Sequence, residues 1–192
     1  MLRKIKCTKM EQEEKVKIDL ACGNNKRQGF LGVDIVKTDS SDMVFDLNTY
    51  PWPIESDSVD EINCSHYIEH IPHDIHNPND KRDGLIQFMD EVYRIMKKGG
   101  NATIIAPYYS SMRAVGDPTH VRYIAEFSFF YYNKQWREDN KLEHYGINSN
   151  FDAKHSYLIS SELSLRSEEV RNKAFRSELN AVEDIITELV KI

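Results

Sequence analysis

The sequence predicts one α/β domain built on a doubly wound, mostly parallel sheet with helices on both faces. Three observations predict it. Short apolar, strand-like segments alternate with helical ones, the pattern of strand–crossover–strand units. The first of these, Ile18-Asp19-Leu20, runs into the tight turn Ala21-Cys22-Gly23-Asn24, and a second strand then delivers Asp34. An open parallel sheet holds a nucleoside in this way, with backbone approaching at the turn and an acid taking the ribose hydroxyls. Lastly, an amphipathic helix leads into Ala102-Thr103-Ile104-Ile105-Ala106, a short apolar run of the kind a buried parallel strand requires. A dinucleotide reading fails, because Gly23 stands alone where G-x-G-x-x-G is needed and Asp34 follows sooner than the required interval of about 20 residues.

Taken in order, residues 1–14 read as a polar lead-in in which Glu11, Glu13 and Glu14 form a solvated run. Strands are expected near 16–21, 30–36, 42–47, 58–64 and 102–107. The clearest helix covers about 84–97, where Leu85, Phe88, Met89, Val92, Ile95 and Met96 recur at helical spacing and would pack on the sheet. Lys97 and Lys98 would sit at its carbonyl end, with Gly99 as the stop. Beyond Pro107 the pattern predicts a helix near 124–137, a strand near 151–160, a helix near 167–178 and a final strand near 185–191.

Several blocks occur in a telling order: Asp19-Leu20-Ala21-Cys22-Gly23, then Gly29-Phe30-Leu31-Gly32-Val33-Asp34-Ile35, Asp46-Leu47-Asn48, Pro51-Trp52-Pro53-Ile54, Ser58-Val59-Asp60, Glu69-His70, and Arg94-Ile95-Met96-Lys97-Lys98-Gly99-Gly100. The ordered set, from about Lys17 to Pro107, resembles the class I S-adenosylmethionine-dependent methyltransferases, in particular the compact, type 11-like branch with a very short first helix. The resemblance implies a Rossmann-like sheet ending in an antiparallel C-terminal edge pair. It also implies a cofactor-binding half over 15–107 and an acceptor side over 108–192. Two positions depart from the pattern: Ala21 replaces the first glycine of the turn, and Lys98 replaces a proline. Alanine demands negative φ, which weakens the expectation of close approach at Ala21.

Within that resemblance the cofactor is S-adenosylmethionine, and the candidates that hold it are Asp19, Ala21, Cys22, Gly23, Asn24, Asp34, Ile35, Asp46, Leu47, Ser65 and His66. Asp34 is the ribose candidate, because one carboxylate accepts from both hydroxyls. Asp46 and Leu47 match the block that meets the adenine amino group and covers its ring; a plain turn before Pro51 is the competing reading. Asp19 would orient the turn or meet the amino-acid end of the cofactor. Ser65 and His66 follow the fourth strand and face the crevice at the strands' carboxyl ends, although Ser65 serves equally as a cap. After the fifth strand, Tyr108 and His120 are the catalytic candidates, in a region that borders the transferred methyl in the resembling family. His120 suits a general base because an unperturbed imidazole titrates near neutrality, with a helix cap as the alternative. Arg122 would anchor an anionic acceptor. The aromatic group Phe127, Phe129, Phe130, Tyr131, Tyr132 and Trp136 reads as core, acceptor wall or dimer contact, and its spacing does not separate these.

Composition bounds the partners. At 192 residues, with 40% hydrophobic and 29% charged residues, the chain suits one globular domain with a full core. No apolar run approaches the about 18 residues of a membrane span, and the basic start at Met1-Leu2-Arg3-Lys4 lacks the apolar segment of a signal peptide. Cys7, Cys22 and Cys64 show no C-x-x-C spacing, which favours free thiols and a cytoplasmic setting. A net charge of −6 demotes nucleic acid as acceptor without excluding it. The acceptor stays unidentified, with a small molecule, a sugar intermediate or a protein side chain all open, and oligomeric state is unreadable. No metal is expected. The rival reading, a zinc hydrolase using His66-Tyr67-Ile68-Glu69-His70 as H-x-x-E-H with Glu91 as third ligand, needs a sustained helix that Pro72 should end. A non-catalytic module that keeps the nucleoside pocket is the second alternative, favoured if residues 108–123 plug it.

Overall fold

The computed structural model describes residues 15–192, so the lead-in expected over 1–14 and Cys7 lie outside the described residues. One sheet contains seven strands in the order β3-β2-β1-β4-β5-β7-β6. These are β1 (Lys17–Leu20), β2 (Leu31–Asp34), β3 (Met43–Val44), β4 (Val59–Ser65), β5 (Met96–Pro107), β6 (Phe151–Leu158) and β7 (Asp184–Lys191). The first five pair in parallel, while β7 runs antiparallel to both β5 and β6. The reversal of strand order at β1, flanked by β2 and β4, opens a crevice above the strands' carboxyl ends, where such sheets bind ligands.

Register sorts the two faces. Ile18 lies beside Ile62, Leu20 beside Cys64, Ile62 beside Ala102, Cys64 beside Ile104, and Ala102 beside Leu189. All are buried, and they form one apolar face. The helix α1 (Gly84–Ile95) lays Leu85, Phe88, Met89, Val92 and Ile95 against the same core, as its spacing predicts. Each fully buried side chain of this size contributes about 1.5–3 kcal/mol. The intervening residues (Asp19, Asn63, Thr103 and Glu188) form a polar opposite face that is half-exposed toward β7.

The connections are leaner than a doubly wound sheet requires. The segment 21–30 between β1 and β2, where the resemblance places a very short helix, consists of turns, and 35–42 and 45–58 also lack an α-helix. α1 ends earlier than expected: Met96 takes extended dihedrals, so Lys97 and Lys98 belong to β5 and Gly99 (φ 77°) turns within that strand. Lys97 there pairs with Asp60 at 2.9 Å. The helix expected over 124–137 is broken in two. α2 (Met112–Gly116) precedes α3 (Glu126–Phe130) and α4 (Lys134–Asp139), and Asn133 separates the latter pair by capping Trp136 N–H at 2.9 Å and donating to the Phe151 carbonyl at 3.0 Å. Two further helices, α5 (Ser161–Ser164) and α6 (Glu168–Ser177), lie between β6 and β7. Among the described residues no helix is long and apolar enough to cross a membrane, and Cys22 and Cys64 are free and buried.

Candidate functional site

The turn after β1 is organised by two carboxylates. Asp19, buried on β1, accepts from the Arg27 backbone N–H at 2.7 Å and from Asn63 Nδ2 at 2.6 Å on the neighbouring β4. One of its oxygens therefore orients the turn, the first of the two roles expected for it, while the other ties β1 to β4. Arg27 adds a 3.3 Å bond to Asn63 Oδ1 and stacks over Phe30 at 4.9 Å. Asp34, at the end of β2, reaches across to the turn and accepts from the Gly23 N–H at 2.8 Å and from the Val36 N–H at 3.2 Å. A carboxylate offers about four lone-pair sites, so two hydroxyl donors still fit. Ile35, 62% exposed, sets an apolar surface directly beside that carboxylate.

Three turn residues take positive φ: Ala21 at 53°, Gly23 at 55° and Gly29 at 81°. Ala21 thus corrects the expectation of a negative φ, because the turn imposes the left-handed conformation that its side chain resists. Space around Gly23 and Gly29 is open, and close approach occurs instead at Gly32, where a Cβ would meet the Ser40 carbonyl at 2.3 Å and Cys22 Sγ at 2.8 Å. Burial, then the nearby Asp34 and Asp19 charges, push the Cys22 thiol up, so it packs rather than reacts. Thr38 Oγ1 and Ser40 Oγ donate to the carbonyls of Gly23 and Asn24 at 2.9 and 2.7 Å, which clamps the turn from the β2–β3 side.

Below the turn, Asp19, Ala21, Cys22 and Ser65 line a cleft of about 520 Å³ together with Asn25, Arg27 and Asn63. The other cofactor candidates stand outside this cleft. Leu47 is 4% exposed and packs into the core, with its carbonyl taken by Trp52 Nε1 at 3.1 Å, so its side chain is not free to cover a ring. Asp46 closes a local turn by accepting from Asn48 N–H at 2.8 Å. His66 occupies the left-handed region at φ 55°; its Nδ1 meets Ser65 Oγ at 2.8 Å and its Nε2 lies 3.4 Å from buried Asp184. Arg113 holds that same Asp184 at 2.8 Å.

Residues after β5 form a strap across the turn that follows β4. Val121 N–H donates to the Glu69 carbonyl at 2.9 Å. Arg122 donates to the carbonyls of Ile71 and Pro72 at 2.7 and 3.0 Å and pairs with Asp83 at 2.9 Å. Its guanidinium is consumed by structure, so the expected anionic anchor is corrected to a strap fastener. Tyr108 is buried and donates to Glu126 at 3.1 Å, as Tyr157 also does. Burial, followed by the Glu126 charge, pushes its phenol up, which ill suits it to act as a base. His120 is held by Nδ1 at the Ala114 carbonyl, 3.1 Å away, with its ring 4.6 Å from that of His70. Glu69 is 1% exposed and neither carboxylate oxygen has a partner; burial pushes its carboxyl up.

The H-x-x-E-H reading is overturned by local structure. Residues 68–70 form only a 3₁₀ turn, His66 points to Asp184, and Glu91 is spent on Trp52 N–H at 2.6 Å and on Arg94. Of the aromatic group, Phe129 and Tyr132 are core, whereas Phe127 is 66% exposed. Sequence reasoning missed Asn63, Arg113 and Asp184; a polar residue between Ile62 and Cys64 in a buried parallel strand is the one signal that pointed to Asn63.

Among solved structures, the chain superimposes on an S-adenosylmethionine-dependent methyltransferase from Archaeoglobus fulgidus with a TM-score of 0.60 at 17% identity, over 92% of this chain and 86% of that one. The YcgJ protein of Bacillus subtilis matches with a TM-score of 0.51 at 15% identity, over 93% and 92% of the two chains. The chain therefore has the class I methyltransferase fold. No family model and no curated protein matches the sequence.

Proposed function

We propose that this protein is an S-adenosylmethionine-dependent methyltransferase acting on an as yet unidentified acceptor. The observation that carries the reading is the pairing of Asp34 with the Gly23 turn at the carboxyl ends of β1 and β2, with Ile35 exposed beside it. In this reading Asp34 takes the ribose hydroxyls, Ile35 covers one face of the adenine, and the Gly23 turn carries the rest of the nucleoside. Ser65 and His66, at the end of β4, border the sulfonium end. When bound, the donor would supply an activated methyl group: an acceptor nucleophile would attack the methyl carbon in line with the carbon–sulfur bond, which breaks as S-adenosylhomocysteine leaves. The chain's contribution is to bind, orient and exclude water.

The exposed apolar residues after β5 (Tyr109, Met112, Val115 and Tyr123) support an acceptor side there. Calorimetric titration with S-adenosylmethionine and S-adenosylhomocysteine tests the proposal. Asp34→Ala should weaken binding at least about tenfold, equivalent to about 1.4 kcal/mol. Wild-type protein that binds neither compound would overturn the function; binding untouched by Asp34→Ala would overturn the role of Asp34.

A further inference from the structure

The strap and the turn after β4 bring together three side chains that the cofactor site does not use. Glu69, His70 and His120 each offer one ligand atom, and these atoms lie within 4.8 Å of one another. We infer that Glu69, His70 and His120 form a binding site for a divalent transition-metal ion of the zinc or iron(II) type.

The second coordination sphere is already in place. Thr119 Oγ1 donates its single hydrogen to Asp117 at 2.6 Å, so at its 3.0 Å contact with His70 it can only accept, and His70 Nδ1 carries the proton. His120 Nδ1 faces a carbonyl at 3.1 Å and must also donate. In its neutral form each ring is thereby held in the tautomer that leaves Nε2 as a lone pair, with the other nitrogen anchored to an acceptor. Metal-bound histidines show this arrangement. The third member is a carboxylate with both oxygens buried and unpartnered, a costly state unless a cation faces it. Backbone bonds fix the frame, because the Val121 N–H reaches the Glu69 carbonyl and His120 N–H reaches that of Asp117 at 3.2 Å.

Ligand chemistry selects the ion. Two imidazoles and one carboxylate suit zinc or iron(II), whereas magnesium and calcium want sets of oxygens. Donors bound at about 2.1 Å sit about 3.4 Å apart around a tetrahedral ion, so a modest rotation of the side chains closes the cluster. Three protein ligands leave a fourth coordination position open to water or another ligand. The inference is independent of methyl transfer, and it differs from H-x-x-E-H by recruiting His120 from the strap in place of His66 and Glu69 in place of Glu91 as the carboxylate ligand.

Metal-stripped full-length protein titrated with cobalt(II) should develop visible absorption at one ion per chain, and zinc should displace it. Glu69→Gln and His120→Ala should each weaken cobalt binding at least about tenfold. His76→Ala, whose side chain is 90% exposed, should leave it unchanged. Independently of any variant, zinc should protect His70 and His120 of the wild-type chain from acylation by diethyl pyrocarbonate while His76 stays reactive. Absence of binding up to the order of millimolar cobalt, affinity unmoved by both folded variants, or equal acylation of all three histidines with and without zinc would each overturn the site.

Discussion

Ala21 holds φ at 53° because its neighbours leave no alternative: Cys22 N–H is bound to the Val33 carbonyl at 3.0 Å, and Asp34 holds Gly23. The left-handed region costs a residue bearing a Cβ about 1–2 kcal/mol. Ala21→Gly should therefore stabilise the protein by about 0.5–1 kcal/mol in urea unfolding, once the greater freedom of glycine in the unfolded chain is deducted. A loss of stability would show that the methyl group packs favourably in the cleft. At this scale the neighbourhood of Gly23 and Asp34 was legible, because a turn and an acid at the ends of adjacent strands lie side by side, whereas the bond between them was not among the expectations. The engagement of Asp19 with Asn63 was not, since it depends on the register of β1 against β4, and a partner 44 positions away leaves no local pattern. The same holds for Arg122, whose three acceptors come from a distant turn and a helix cap.

Elements were legible where burial has a period. α1 shows this best, because Phe88 is wholly buried and its ring lies 5.5 Å from that of Trp52 and 5.6 Å from that of Tyr67. Phe88→Ala should cost about 3–5 kcal/mol, read as a lower denaturant midpoint with the slope unchanged. A cost below about 1 kcal/mol would mean that the core collapses onto the gap or that the ring packs less tightly than its burial implies. Boundaries set by long-range bonds escaped. Helical propensity runs through 124–137, yet Asn133 trades helix for a cap and a bond to the Phe151 carbonyl, which only the folded sheet supplies. Likewise Lys97 and Lys98 resemble a helix end until β4 offers Asp60 as a partner within β5.

Across the whole molecule, ion pairs fasten the antiparallel edge to the helical layer. Arg82 pairs with Asp80 and Asp90 at 2.6 Å each and donates to the Gly146 carbonyl. Asp90 also accepts from the backbone N–H groups of Asn148 and Ser149, ahead of β6. The Arg82 guanidinium beside Asp80 holds that carboxyl below the usual carboxylate range. A carboxyl whose folded pKa is depressed contributes stability that is present above its unfolded value, about 3.9, and is lost as pH falls through the folded value. Arg82→Met should cost about 1–3 kcal/mol at neutral pH. It should also flatten the decline of Tm on acidification below about pH 4; an acid limb as steep as that of wild type would refute the assignment.

Strand order carries one more consequence. β7 lies between β5 and β6 although it follows both in the chain, so β6 has no hydrogen-bonding neighbour in the sheet until residues 184–191 arrive. On the ribosome, the long β5 edge waits unpaired while some eighty further residues are made, about 5–15 seconds at usual elongation rates. For that interval the nascent chain presents the open, apolar template from which intermolecular strand pairing starts. The backbone ladder of β7, from Asp184 to Val190, then closes that edge last.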